Sequence, residues 1–465
     1  MISSADVSKY YHTGFFISPN YIKRKKGGYG TVYYDKSTSI IKKMARYNEI
    51  NNLEENNYPN HGKETVLYYI FYPTIQEACF TKLLTAYPGF VILNSIHLST
   101  HYLYLQEQFM GDSLHRFIKD QSSLHVPTLV MDILTQCMIL EINGLQHTDL
   151  KTNNLLYQPE SCTITMIDYN CMSIKAVIDK ELSWTNSVGT WMYVAPEVAC
   201  EEKITDTSIV WTLGMIIACL LQAYPVNPTN YPGIVVKETI SKRKAWIMTL
   251  KNIFLKETEP YFSTCFDNIP LAYQQILTKI FYKHPANRIS LQDLYILWGN
   301  TFGLPVLEDF TAYYHEIKVI PFLGWTPEDR SNLLHLVYDF CNRWNQLYKM
   351  CSIIHIIDQF SCHIYKGYEK TLIFAAWNIV SCWMNEHLYQ YEEVYTYIET
   401  TYQIKMCEIV EMTWFVCDIL KWDLYEKSTV VWLAENKKNI DDERILQVFI
   451  QQTQPYSMKS IASVF

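Results

Sequence analysis

The stretch His147-Thr148-Asp149-Leu150-Lys151-Thr152-Asn153-Asn154 places a carboxylate, an amine and an amide on one short polar loop. Asp149 can accept or orient a hydroxyl proton. Lys151 can sit near a transferred phosphoryl group, and the amide oxygen of Asn154 can hold a metal ion. Fourteen residues beyond Asn154, in Ile167-Asp168-Tyr169-Asn170, comes a second acid, Asp168, suited to Mg2+. Far upstream, Lys25-Lys26-Gly27-Gly28-Tyr29-Gly30-Thr31-Val32-Tyr33 is a glycine loop. Gly27, Gly28 and Gly30 would let backbone N–H groups approach phosphate oxygens, and Val32 is placed to cover a base. Alone, this loop reads equally as a plain hairpin turn. Lys42 follows at strand spacing and could reach those phosphates, while Glu77, on the next amphipathic helix, could pair with it. Phosphoryl transfer needs such a set, because positioned cations stabilise its loose transition state. Each piece also has an ordinary reading, as a solvated strand lysine or a helix-surface glutamate; their joint occurrence in this order does not. Gly189-Thr190, Tyr193, Ala195-Pro196-Glu197 and Arg288 come later, and Glu197 and Arg288 are expected to form a buried ion pair.

These residues need elements to hold them. Residues 15–43 alternate apolar and polar around the glycines, which reads as a hairpin of strands. A helical stretch is expected at Thr74–Thr85 and a strand at His101–Gln108. From Pro127 the pattern is helical, broken by the loop at 147–154 and by residues 168–197. The coarse expectation is an α+β arrangement, a small strand-rich lobe before a larger helical one. Residues 303–326 look like a connector, with Pro327 a good first residue for a helix. Beyond it, helical patterns fall at Pro327–Leu347, Met350–Phe360, Glu369–Met384, Glu392–Thr400 and Lys405–Leu420, with apolar stripes suited to an all-helical bundle.

Composition narrows the class. The chain has 465 residues, 49% hydrophobic and 18% charged, which excludes wholesale disorder and suggests two or three cores. The longest apolar stretches, such as Trp211 to Leu221, fall short of a membrane span, and no signal-peptide pattern opens the chain. The 13 cysteines include no CxxC pair and read as small buried hydrophobes in a reducing, intracellular compartment. Of the 47 acidic and 39 basic residues, 21 and 13 lie from Thr301 onward, so 26 of each sign precede it. The net charge of −8 therefore belongs to the last third. The balanced remainder argues against a nucleic-acid surface and for separately built domains.

Residues 15–305 resemble a eukaryotic protein kinase domain, matching most of its signature set. The resemblance implies the bilobal kinase fold, with ATP and Mg2+ as cofactors and a protein as substrate. Lys42 would contact the ATP phosphates and Glu77 would pair with it. Gln108 and Met110 would line the nucleotide at the hinge. Asp149 would be the catalytic acid/base, Lys151 the phosphate-contacting lysine, and Asn154 and Asp168 the metal ligands. Lys151 and Thr190 resemble serine/threonine rather than tyrosine kinases. Within the family, Pro73-Thr74-Ile75-Gln76-Glu77 resembles the helix by which cyclin-dependent kinases meet their cyclin. Tyr29 falls at that branch's inhibitory phosphotyrosine and Thr185 at its activating phosphothreonine. Residues 327–436 resemble a single cyclin box, with 306–326 as linker and 437–465 as C-terminal tail. The resemblance implies a kinase fused to its activator, with Ile75 inserted between the helices of the box and Glu77 held inward. Docking within one chain, across a flexible connector, and docking between two chains both remain open. The pairing of domains is similar to gene fusions in large DNA viruses of protists.

The sequence also departs from the family. Lys25 replaces the first loop glycine, and Thr148 the arginine that usually grips the activating phosphate, so phosphorylation of Thr185 is expected to matter little or not to occur. Asn170 stands for the DFG glycine, where tolerance of left-handed angles makes the change mild. Ile209 stands for an aspartate that braces the catalytic loop, Glu107 guards the back pocket, and Val194 puts a proline-directed preference in doubt. Cys382 and Thr413 replace a Lys–Glu pair of the cyclin box, and a second box is absent. Two other readings follow: a pseudokinase and cyclin-like scaffold that captures a cellular cyclin or cyclin-dependent kinase, or a kinase whose helical domain is an unrelated docking element.

Overall fold

In a computed structural model of the chain, the described residues run from 21 to 465 except 27–30, 36, 47–62, 99–101, 119–123, 179, 186–188, 191, 202, 222–268, 283, 320–324, 364–366 and 385–390. A five-stranded antiparallel sheet opens the molecule, in the order β1-β2-β3-β5-β4. Its strands are β1 (Tyr21–Lys26), β2 (Thr31–Asp35), β3 (Ile40–Arg46), β4 (Leu93–Leu98) and β5 (Tyr102–Gln108). The β1–β2 hairpin pairs Lys26 with Thr31. In β2, Thr31, Tyr33 and Asp35 are buried while Val32 and Tyr34 are half-buried, the period-two pattern of a strand with one covered face. Asp35 closes the next turn by accepting from the N–H and hydroxyl of Ser37, at 2.8 and 2.6 Å. Helix α1 (Lys63–Leu84) crosses this sheet's sequence between β3 and β4 and contains Pro73. The expected start at Thr74 is thus corrected. Proline removes one helical hydrogen bond, but the turns on both sides continue the helix through it.

The larger lobe is built on α2 (Val126–Ile142), whose inner face is buried, and on α3 (Pro196–Glu201), α4 (Ser208–Leu220), α5 (Leu271–Ile280) and α6 (Leu291–Phe302). Every residue of α4 is buried, so its apolar run is a core helix. Two small sheets complete the lobe. One is β6 (Asp112–Ser113), β8 (Leu155–Gln158) and β9 (Thr163–Met166); the other is β7 (Leu145–His147), β10 (Met172–Ile178) and β11 (Glu181–Trp184). Glu197 and Arg288 meet as a bidentate pair, Nη1–Oε1 2.9 Å and Nη2–Oε2 3.1 Å, with side chains 5% and 0% exposed.

The C-terminal region is all helical: α7 (Pro327–Arg343), α8 (Met350–Phe360), α9 (Glu369–Trp383), α10 (Tyr391–Tyr402), α11 (Met406–Ile419), α12 (Thr429–Glu435), α13 (Asp442–Gln451) and α14 (Met458–Ala462). Helix α7 starts as the sequence suggests, with Thr326 accepting from Asp329 N and Pro327 in the first turn. Residues 371–383 of α9 are all buried, making it the central helix of the bundle. Among the described residues no helix is long and apolar enough to cross a membrane.

The segments read as linker and tail are packed where they are described. Residues 437–465 are not a loose tail. Arg330 and Asp358 pair in the bundle's interior, Nε–Oδ1 2.8 Å, and Phe449 O and the Tyr456 hydroxyl complete the cluster. The connector is also tied down between residues 313 and 319. Asn143 at the end of α2 accepts from His315 N at 2.8 Å and donates to Tyr313 O at 3.0 Å. Val319 and Tyr456 form a two-way backbone bridge, 2.7 and 3.0 Å. Buried polar groups demand partners, and the connector supplies them from both sides.

Candidate active site

The loop between β7 and β8 carries Asp149, Lys151 and Asn154. Asp149 Oδ1 accepts from both the N–H and the hydroxyl of Thr190, each at 2.6 Å. Its Oδ2 accepts from Lys151 Nζ at 2.6 Å, and the same Nζ donates to Thr190 Oγ1 at 2.8 Å. Asn154 Nδ2 donates to Asp149 O at 3.0 Å. Carboxylate, amine and hydroxyl thus form a closed, half-exposed triangle. Gly189 makes the approach possible: a Cβ there would lie 1.9 Å from Thr148 O, so no side chain fits.

Asp168 follows β9 in a left-handed conformation, φ 73° and ψ 63°, uncommon for a non-glycine residue but one that aspartate and asparagine tolerate best. Asn170 lies within the short 3-10 turn Tyr169–Cys171, so the left-handed residue is Asp168 and not the one expected. His147 joins the two acidic segments. Its Nε2 donates to Ile167 O at 3.1 Å, and Asp149 N donates to its Nδ1 at 3.3 Å. That network assigns the proton to Nε2, and burial lowers the pKa of the ring, keeping it neutral.

Tyr169 ties in the smaller lobe. Val91 N donates to its hydroxyl at 3.4 Å, and its ring packs on Phe90 and His147. Burial raises the pKa of the phenol, and the negative charges of Glu107, Glu77 and Asp168 add to the effect. Glu77, on α1, is buried (5% exposed), turned into the protein and away from solvent, and its charge reaches Tyr169. Lys42 sits in β3, in register with Tyr33 on β2 and Gln106 on β5; its side chain lies outside the described residues, as do Gly27, Gly28, Tyr29 and Gly30. Val32 is half-buried on β2, two strands from Gln106. Gln108 ends β5, where its N–H donates to Ile92 O at 2.9 Å, and Met110 lies in the strap leading to β6.

This constellation holds a carboxylate, an ammonium, a hydroxyl and an amide within hydrogen-bonding reach of one another, with the segment bearing Asp168 joined to them through His147. A family profile described as protein kinase domain matches residues 26–296, more than half of the chain. The chain belongs to the protein kinase family. It is 26% identical over 228 residues to a probable serine/threonine-protein kinase of Dictyostelium discoideum, covering 43% of this chain and 34% of that protein. It is 31% identical over 130 residues to extracellular signal-regulated kinase 1 of Candida albicans, covering 27% of this chain and 31% of that one. The chain spans about a third of the length of the curated relatives it matches. Family membership implies use of ATP and a divalent metal.

Several sequence expectations meet the kinase structure differently. Thr185, expected at the activating phosphorylation site, is 5% exposed. Its Oγ1 accepts from Ile174 N at 3.0 Å, so its hydroxyl is enclosed between β10 and β11. Thr148, in the place of an arginine, donates its hydroxyl to Cys171 O at 2.5 Å, and its N–H goes to the same carbonyl at 3.2 Å. The loop's backbone thus finds a partner although Ile209, 5% exposed, offers none. Sequence reading passed over Gln76, which is fully buried; its Nε2 donates to Met172 O at 2.7 Å and to Trp383 O at 3.3 Å. A glutamine amid an apolar helix face, next to Glu77, was the available signal.

Proposed function

We propose that the chain is an ATP- and Mg2+-dependent serine/threonine kinase of the cyclin-dependent type, whose own C-terminal helices act as a single cyclin box and position α1. Asp149 accepts the proton of the substrate hydroxyl. Lys151 and Thr190 hold that carboxylate in place, and Lys151 is near enough to neutralise charge on the transferred group. Asn154, with its amide nitrogen turned to Asp149, would offer its oxygen, and Asp168 its carboxylate, to Mg2+, which would supply charge neutralisation on the phosphates. Lys42, paired with Glu77, would fix the nucleotide's phosphates, with Val32, Gln108 and Met110 around the base and Gly27, Gly28 and Gly30 over the phosphates. Tyr29 is a candidate site of inhibitory phosphorylation.

One observation carries the regulatory half: α1 packs against α9, and Gln76, flanked by buried Ile75 and Glu77, bonds across to Trp383 O. The docking is within one chain, and the contacts of connector residues 313–319 favour that geometry over docking between two. Tyr425 supports it, packing edge-on against Phe80 of α1 at 5.2 Å and donating to Asn143 O at 2.9 Å.

Purified chain is expected to transfer phosphate from ATP to a generic protein substrate. Asp149→Asn should reduce this by about 10²–10⁴-fold and leave Mg·ATP stabilisation in a thermal-shift assay intact. If wild type and variant are equally silent and Mg·ATP shifts neither, the scaffold reading, which Ile209 and Glu107 favour, replaces this one.

A further inference from the structure

The segment after Asp168 is held by uncharged groups at each turn. Gln76 donates to Met172 O, Thr148 Oγ1 to Cys171 O, and Ser173 Oγ to Thr185 O, the last at 2.7 Å. Thr185 closes the set in both directions: Ile174 N donates to its hydroxyl at 3.0 Å, and its own N–H donates to Ile174 O at 3.0 Å. Gln76 and Ser173 are fully buried. Helix α12 packs over β10 and β11, and its Glu435 meets Lys175 of β10 at 3.8 Å. Lys175 is already engaged by Asp206, at 3.2 Å, and stacks on Trp184.

We infer that Gln76, Thr148 and Ser173 are positioning residues which, under the lid of α12, hold the β10–β11 hairpin and so Asp168 in their working place with no phosphate on the segment, Thr185 being a structural hydrogen-bonding partner. The physical reason is satisfaction. The carbonyls of residues 171, 172 and 185 each accept a neutral donor from elsewhere in the fold, so no added charge is needed to order them. A phosphate on Thr185 would place nearly two negative charges in a site with almost no solvent and would displace the Ile174 N–H. Gln76 connects this hairpin to α1 and, through Trp383 O, to the helical domain, so one side chain links the regulator, the helix bearing Glu77 and the segment bearing Asp168.

The inference rests on the kinase reading above, and the test separates the two. Full-length chain is treated with phosphatase, checked by intact mass, and followed by phosphate transfer from Mg·ATP and by hydrogen exchange of residues 172–185. Expected are unchanged activity after dephosphorylation and slow exchange of the hairpin amides. Gln76→Ala should lower kcat on the order of tenfold with little change in KM for ATP, and speed exchange at residues 172–174 while melting temperature stays near that of wild type. Should that variant not fold, Gln76→Met keeps the volume, lacks the donor and gives the same readout. A hairpin that exchanges freely, and becomes protected and active only once Thr185 is phosphorylated, overturns the inference and leaves the kinase reading standing. A protected hairpin in a dephosphorylated chain that never transfers phosphate does the reverse. Gln76 variants that lose activity and melting temperature together, without faster exchange at 172–174, also overturn it.

Discussion

Thr190 touches Asp149 twice, its N–H and its hydroxyl both 2.6 Å from Oδ1, while the same hydroxyl accepts from Lys151 Nζ at 2.8 Å. One hydroxyl therefore sets both the rotamer of the Asp149 carboxylate and the reach of the Lys151 ammonium. Thr190→Val keeps shape and the backbone bond but removes that hydroxyl. It should cost roughly 10- to 100-fold in kcat with little effect on melting temperature, and Thr190→Ser should recover most of the loss. Equal kcat for the Val and Ser variants in a steady-state assay would contradict this.

The joint between the helical domain and the kinase lobes is predicted to be energetically coupled. Tyr425 bonds to Asn143 O, and Asn143's side chain in turn anchors the connector at residues 313 and 315. Tyr425→Phe keeps the ring contact with Phe80 and drops only the hydroxyl; a loss of about 1 kcal/mol is expected. Tyr425→Ala also removes the ring, with an expected loss of about 3–5 kcal/mol and a marked fall in kinase activity as α1 loses its cover. Chemical denaturation and the phosphate-transfer assay read the two effects; undiminished activity in the Ala variant would remove the activator role.

Arg288→Met strands Glu197 in the core, where the hydroxyls of Ser208, at 2.7 Å, and Thr205, at 3.4 Å, still donate to it. An uncompensated buried charge typically costs about 3–5 kcal/mol. The double variant with Glu197→Gln should be less unstable than the sum of the two single ones. Strict additivity in a double-mutant cycle would show that the pair is not coupled.

Glu426 lies at the seam of the connector and the last helix. Tyr314 and Met458 N donate to its Oε1, at 3.2 and 2.9 Å, and His355 Nε2 lies 3.4 Å from its Oε2. Burial pushes the Glu426 carboxyl up to about 8 and the His355 imidazole down to about 3. The raised acid stabilises the fold below the ordinary carboxyl range, and that contribution is lost as pH rises toward 8. The lowered histidine works oppositely, its cost growing as pH falls below 6.5. The two offset each other between pH 4.5 and 6.5, leaving Glu426 alone above. Stability should therefore fall by roughly 2 kcal/mol between pH 6.5 and 8, and Glu426→Gln should flatten the fall. A pH series of urea melts that is flat for wild type would refute it.

Much of this protein was written in local sequence. The spacing of Asp149, Lys151, Asn154 and Asp168 announces phosphoryl chemistry, because loop offsets of a few residues survive folding. The helices at Met350–Phe360 and Glu369–Trp383 were legible from apolar periodicity, since each buries a continuous face. Other features were decided by long-range packing. That Thr185 is enclosed depends on β11 pairing with β10; that residues 437–465 join the bundle depends on Arg330 and Asp358 needing Phe449 O and Tyr456. Gln76 meets Trp383, 307 positions away, only because α1 and α9 pack face to face. Periodicity reports which side of a helix is covered. It does not report what covers it, and in this protein the cover is the chain's own far end.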